Sequence, residues 1–172
     1  SATFRTVDVV GLDTLVHVAN GIADNCKDDE RLEVFELPDF INTMMENKWL
    51  GSKTGQGFYK KTVSAEGKKE ILTLDLNTLE YRSAKRAKFA TLELTKTIDK
   101  VADRFKVLVK GKDKAGEFYR KSFSALFAYV SNRIPEITDE LYKIDDAMKA
   151  GFGWEHGPFQ IWDAIGVEKG VE

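Results

Sequence analysis

The residues best suited to chemistry fall in two glycine-rich stretches, GSKTGQGFY at 51–59 and GFGWEHG at 151–157. Closely spaced glycines let backbone N–H groups converge on phosphate oxygens, and the second stretch has the GxGxxxG outline of a dinucleotide loop. That chemistry needs a buried strand before the loop and a helix N-terminus after it. A period of 3.6 upstream of Gly151, and Pro158 just downstream, predict a helix-to-helix corner instead. In the first stretch Lys53 and Thr54 precede the second glycine, so the GxxxxGK[ST] order of a phosphate loop is absent. A structural turn is expected, with Gly55 and Gly57 adopting positive φ while Phe58 and Tyr59 anchor it to a core.

The remaining polar candidates are weaker. His17 and His156 lie far apart, and neither has metal-ligand spacing to a Cys, His, Asp or Glu, so no metal is expected. His156, beside Trp154 and Glu155, reads as a hydrogen-bonded structural histidine. Asp145 and Asp146 are helical neighbours pointing in different directions, which suits solvent-facing or capping carboxylates better than a dyad. Asn132-Arg133 closes an apolar helix; the amide could orient a ligand carbonyl, or the pair could simply terminate the helix. No Ser-His-Asp or Cys-His arrangement is legible, and no catalytic residue is expected in this chain.

Helices must position most of these groups. Phe4, Val7 and Gly11 share one face of a first short helix, and Leu12, Leu15, Val16 and Ala19 begin a second. DDERLEVFEL is acidic and expected to be irregular; Pro38 suits the first turn of a helix whose stripe of Phe40, Ile41, Met44, Met45 and Trp49 runs to Gly51. Residues 62–84 read as a turn and a small β-hairpin, with apolar alternation at Ile71, Leu76, Leu79 and Tyr81 around LNT. From about 89 the helical period returns. Phe123, Leu126, Phe127, Val130 and Ile134 make a stripe for burial, and Ile137, Leu141, Ile144 and Met148 make another beyond Pro135.

With 42% hydrophobic and 31% charged residues in 172, the chain has the composition of a globular protein of one ordinary or two small domains. Its longest uncharged apolar runs, such as FSALFAYV, fall far below the roughly 20 residues that span a bilayer, and the first residues lack a basic-then-apolar leader pattern. No membrane partner and no secretion are expected. Cys26 is the only cysteine, so a reducing, cytoplasmic setting is expected. Net charge is −2, yet residues 82–121 hold 13 Lys+Arg against 5 Asp+Glu. Such a block could attract phosphates, but its interleaving with apolar residues suits a solvated helical face, and no nucleic-acid motif accompanies it.

One internal match links the two ends of the sequence. Setting Phe159 on Phe4 brings Asp163 onto Asp8 and Gly166 onto Gly11, with Ile165 on Val10, Val167 on Leu12 and Glu168 on Asp13. SNRIPEITDELYKIDDAMKAGFGWEHGPFQIWDAIGVEKG resembles the C-terminal domain of 3-hydroxyacyl-CoA dehydrogenases through Asn132, Arg133, Asp145, Ala147, Gly151, Phe152, Gly153, Gly157, Pro158, Phe159, Asp163 and Gly166. TFRTVDVVGLDTLVHVANGI followed by KWLGSKTGQGFYKK is similar to the second half of that domain, which ends in a Gly-x-Lys-Thr-Gly-x-Gly-Phe-Tyr run.

The resemblance implies a mainly α fold. Residues 1–61 would be the back half of one C-terminal domain copy, 62–84 a hairpin linker, and 85–172 the front part of a second copy, an arrangement like that of multidomain fatty-acid β-oxidation enzymes. It also implies a chemistry, the NAD-dependent oxidation of a 3-hydroxyacyl-CoA, with the histidine–carboxylate pair in a nucleotide-binding domain of the same polypeptide. The resemblance makes Asn132 and Lys53 the candidate substrate-binding residues. His156 stands where the family pattern commonly has an apolar residue. NAD is expected on the parent enzyme and not on this fragment, which is expected to be inactive alone. Acyl-CoA is the expected substrate, and a homodimer through the helical domain is a possible partnership. The alternatives are a non-catalytic helical interaction module and simple acyl-CoA binding by the basic block.

Overall fold

The computed structural model describes residues 3–167. The chain divides into two compact units, Ser1–Arg86 and Ala87–Glu172.

The first unit opens with helices α1 (Thr3–Val10) and α2 (Leu12–Asn25), separated by Gly11 at φ 113° and ψ 132°, backbone angles that a side chain resists. The acidic stretch expected to be irregular contains a single 3-10 turn, Leu32–Phe35. Helix α3 (Asp39–Glu46) follows Pro38, which caps it from outside and not from within its first turn. A second 3-10 turn, Ser52–Thr54, leads into strands β1 (Tyr59–Val63), β2 (Lys69–Leu74) and β3 (Tyr81–Ser83), an antiparallel sheet in the order β1-β2-β3. The β2–β3 hairpin is the one foreseen at 62–84. The additional strand β1 extends the sheet back to Tyr59, because Tyr59–Val63 pairs residue by residue with Lys69–Thr73.

Leu12, Ile41, Met44, Phe58 and Leu74 form the core of this unit. Met44 and Leu12 are completely buried, a burial that contributes about 1.5–3 kcal/mol for each side chain. Phe58 receives Phe4 from α1 at a ring-centroid distance of 4.6 Å and Phe40 from α3 at 6.4 Å, so one strand-entry aromatic ties two helices to the sheet.

The second unit is helical: α4 (Ala90–Thr95), α5 (Val101–Lys110), α6 (Lys114–Asn132), α7 (Leu141–Phe152) and α8 (Pro158–Ile165). Phe127 and Val130 are buried on α6, and Phe123 is half-buried. Their rings continue into a stack, Phe123 on Phe127 at 5.9 Å and Phe127 on Trp162 of α8 at 5.0 Å, with interplanar angles of 9° and 2°. The second apolar stripe is not a buried one. Ile137 and Leu141 are 68% and 50% exposed, because α6 stops at Asn132 and Ile137 lies in the turn before α7. The basic block is largely solvated, with Lys96, Lys106 and Lys121 held in pairs to Glu93, Asp103 and Glu117 one helical turn away.

Asp113 fastens α4 to the start of α6. Its carboxylate accepts from Gly116 N at 3.0 Å as the helix cap, and from Thr91 N and Oγ1 at 3.0 and 2.8 Å. These donors, Thr91 N first, hold the Asp113 carboxyl down at about 2, against an ordinary value of 3.8. A carboxyl depressed on folding stabilises the folded state above its unfolded pKa, and that contribution falls away as pH drops through the folded value. Unfolding midpoints measured from pH 5 downward are therefore expected to decline between about pH 4 and pH 2, and Asp113→Asn is expected to flatten that part of the profile.

Candidate functional site

The glycine-rich stretch at 51–59 is wrapped around α1. Asp8, 6% exposed, points from that helix into the loop and accepts two consecutive backbone donors, Phe58 N at 2.9 Å from Oδ1 and Tyr59 N at 2.8 Å from Oδ2. Tyr81 Oη closes the clasp by donating to Gly57 O at 2.6 Å. Burial first, and the nearby Asp8 carboxylate second, push the Tyr81 phenol up to about 12. Gly57 was expected to supply a positive φ. Its role is clearance, since a Cβ there would overlap the Asp8 carboxylate, and positive φ is found at Gly51 and Gly55.

Lys53 lies on the exposed side of this loop, with Nζ 2.5 and 2.6 Å from the two carboxylate oxygens of Asp13. Its hydrogen bond is the main cause holding the Asp13 carboxyl below the ordinary range. Beside the clasp is a cleft of about 250 Å3 whose lining includes Arg5, Lys61 and Ser52, so its polar edge is cationic around a buried acid.

The second unit repeats the clasp with other residues. Asp145 on α7, 4% exposed, accepts Phe159 N at 2.8 Å, and a Cβ on Gly157 would overlap it. Asp145 is thus an anchor, while Asp146 is exposed and paired with Lys149 at 2.9 Å, so the two carboxylates do part company as their spacing implies. The GFGWEHG stretch is the expected corner: α7 ends at Phe152, Gly153 follows at φ 66°, and α8 starts at Pro158. His156 differs from its expectation as a hydrogen-bonded residue. It packs edge-on against Phe105 at 5.7 Å, and its buried Nδ1 has no hydrogen-bond partner among the described residues.

Asn132, exposed, is the last residue of α6. Arg133 after it lines an apolar groove of about 490 Å3 with Tyr129, Ile137, Ile144 and Met148, a feature that sequence reasoning missed because two of its walls looked like a buried stripe. Asn132 and Lys53 belong to different units.

The described residues do not fit a nicotinamide dinucleotide. Such a site needs a parallel strand, a glycine turn and a helix N-terminus in succession, whereas the sheet here is antiparallel and the Gly151–Gly153 stretch ends a helix. No group of three or more His, Cys, Asp or Glu among the described residues could hold a metal ion. No described helix is long and apolar enough to cross a membrane. The buried acids Asp8 and Asp145 are both engaged with backbone amides, which suits anchoring and not proton transfer.

Comparison with known proteins places these features in a family context. Residues 1–61 match the family described as the 3-hydroxyacyl-CoA dehydrogenase C-terminal domain. Over all 172 residues the chain is 46% identical to a probable 3-hydroxyacyl-CoA dehydrogenase of Bacillus subtilis (strain 168), covering 21% of that protein. It is 26% identical over 159 residues, 92% of this chain, to 20% of a putative fatty acid oxidation complex trifunctional enzyme of Rickettsia felis. A probable 3-hydroxyacyl-CoA dehydrogenase of Deinococcus radiodurans is 42% identical over 73 residues, 42% of this chain and 20% of that one. The chain therefore spans about a fifth of the length of the curated relatives it matches. No solved structure matches it. The resemblance to the C-terminal domain region of 3-hydroxyacyl-CoA dehydrogenases is borne out by the family match over residues 1–61 and by the match of this chain to a fifth of the Bacillus subtilis protein.

Gly57→Ala is expected to lower the stability of the first unit by about 1–3 kcal/mol or more through overpacking against Asp8. Gly21→Ala, where α2 leaves open space around the position, is expected to raise it by about 0.5–1 kcal/mol through helix propensity. Urea unfolding of the two variants checks both signs.

Proposed function

We propose that this chain is the helical, non-nucleotide-binding part of an NAD-dependent 3-hydroxyacyl-CoA dehydrogenase of fatty-acid β-oxidation. In this reading it comprises two incomplete tandem copies of the C-terminal domain, residues 1–61 and 85–172, joined by the sheet segment 62–84. It shapes the acyl-CoA cleft and supports domain or dimer packing. NAD binds, and the hydroxyl proton and hydride are removed, in a nucleotide-binding domain of the same polypeptide. The observation that carries this reading is the 46% identity to a probable 3-hydroxyacyl-CoA dehydrogenase over the whole of this chain. It is supported by the engagement of both buried acids in backbone clasps, which leaves this part of the protein as scaffold.

The tandem-copy reading has its own support. Helices α1 and α8 are each eight residues long, and their bounds match when Phe4 is set on Phe159. Gly11 and Gly166 follow them with φ of 113° and 104° and ψ of 132° and 118°. The amide of Gly11 donates to Val7 O at 2.7 Å and that of Gly166 to Trp162 O at 2.9 Å, so both helices end in the same turn. In the last pair of the repeat, Asp13 with Glu168, Glu168 lies outside the described residues.

In this reading Asn132 and Lys53 contact the substrate, both being exposed and polar, Asn132 as the last residue of α6 and Lys53 within the Ser52–Thr54 turn. The isolated 172-residue chain is expected to form no NADH from a 3-hydroxyacyl-CoA, and the full-length polypeptide to form it; an inactive full-length protein overturns the reading. In that full-length enzyme Asn132→Ala and Lys53→Met are each expected to raise KM for the acyl-CoA about three- to tenfold, the effect of one lost hydrogen bond, with kcat less affected. Steady-state kinetics decides.

A further inference from the structure

Strands β1 and β2 pair so that Tyr59 lies opposite Thr73, Lys61 opposite Ile71 and Val63 opposite Lys69. Alternation along the strands puts these six side chains on one face of the hairpin. On that face Ile71 and Val63, 41% and 63% exposed, form an apolar diagonal, and Lys61 and Lys69 form the other. The face continues into the cleft of about 250 Å3 beside the Asp8 clasp. A second concavity, of about 500 Å3 over the hairpin, shares Lys61 and Ile71 with that cleft and runs on to Val63 and Lys69.

The cleft end carries charge that the protein does not neutralise. Nearby, Lys53 is paired with Asp13 and Arg82 with Asp75, whereas no ion pair or hydrogen bond engages the side chain of Arg5 or Lys61 among the described residues. Ser52 adds a hydroxyl to the same wall. The one acid there is Asp8, and both its oxygens are taken by Phe58 N and Tyr59 N, so two cations face a single committed carboxylate.

We propose that this continuous groove binds a monocarboxylate with an unbranched apolar chain: the carboxylate between Arg5, Lys61 and the Ser52 hydroxyl, the chain along Tyr59, Ile71 and Val63. An excess of one positive charge complements a monoanion, and a guanidinium fork with an ammonium supplies charge-assisted donors to its two oxygens. The apolar diagonal takes methylenes out of water. The ligand is a free acid and not a thioester, and the groove uses neither Asn132 nor Lys53. Its one tie to the proposed function is the tandem repeat, which bears on whether the preceding part of a copy would fill the groove. In the second unit that part packs on α8 from α5, α6 and α7 and buries Pro158 and Ile161. Gln160, the counterpart of Arg5, stays exposed there, and Ala164, the counterpart of Val9, half-buried.

The probe is octanoate, added at millimolar concentration to the isotope-labelled 172-residue chain, with acetate and octylamine as its head-only and tail-only counterparts. Octanoate is expected to shift the amide resonances of Ser52, Tyr59, Lys61 and Ile71 and to bind at least about tenfold tighter than acetate. Octylamine, with the same tail and the opposite charge, is expected to leave those resonances in place. Arg5→Gln and Lys61→Gln are each expected to weaken octanoate about three- to tenfold. Ile71→Thr, which keeps a β-branched residue in the strand, is expected to remove the advantage of octanoate over acetate. Lys121→Gln, in the basic block, is expected to change nothing. All four positions are exposed, and an unfolding midpoint matching that of the unaltered chain confirms that each variant is folded. No shifts with octanoate, an equal response to octylamine, or affinity that survives both Arg5→Gln and Lys61→Gln overturns the proposal. Octanoate binding in a full-length polypeptide that makes no NADH would remove the dehydrogenase reading and keep this one; an active full-length protein without octanoate binding would do the reverse.

Discussion

A carboxylate carried by a helix into apolar surroundings is costly unless its oxygens meet donors, and backbone amides of a neighbouring segment are the donors that bring no charge with them. Asp8 meets that demand with Phe58 N and Tyr59 N, and in doing so sets where the chain leaves the loop and enters β1. Phe58 is thereby placed among Leu12, Ile41, Met44 and Leu74, so the core of the first unit is assembled around a turn whose path a single acid determines. The constraint is steric as well as electrical. The amides reach the carboxylate because the residue before Phe58 has no side chain.

The second unit applies the same device twice. Asp145 draws in Phe159 N beside Gly157, and Asp113 gathers Thr91 and Gly116 at the start of α6. In each case a carboxylate converts a glycine-bearing connection into a fixed corner, and at the Asp8 and Asp145 corners aromatic rings extend onward: Phe58 to Phe4 and Phe40, Phe159 to Trp162 and on to Phe127. Anchors of this type make a scaffold stiff at its corners. Such stiffness suits the scaffold role proposed for this chain. The groove beside Arg133 is a concavity of the second unit, and the cationic cleft beside Arg5 is one of the first.

Much of this organisation is legible in the sequence. The helical stripes from Phe4 to Ala19, from Phe40 to Met45 and from Phe123 to Val130 became α1 with α2, α3 and α6, because period 3.6 survives whatever the stripe packs against. The corner at 151–157 followed from Pro158 and the glycines around it. The stripe beyond Pro135 misled, since Ile137 has the spacing of a helix face but lies in a turn, where periodicity carries no meaning. Strand β1 was hidden for a related reason: YKKTV has little apolar alternation, and its strand state comes from pairing with β2.

The sequence alone determined the helical periods, the positions of the turns, the repeat of Phe, Asp and Gly at the two ends, and the family resemblance, because each of these is written in local spacing or residue identity. Only the tertiary structure decided which repeated aspartate is buried and which is open. It also decided that Gly57 serves clearance and not φ, and that His156 packs on an aromatic edge without a partner for Nδ1. The physical reason is that burial and hydrogen bonding are relations between segments: Asp8 and Asp163 share a local pattern, and what separates them is a loop that approaches from some fifty residues along the chain.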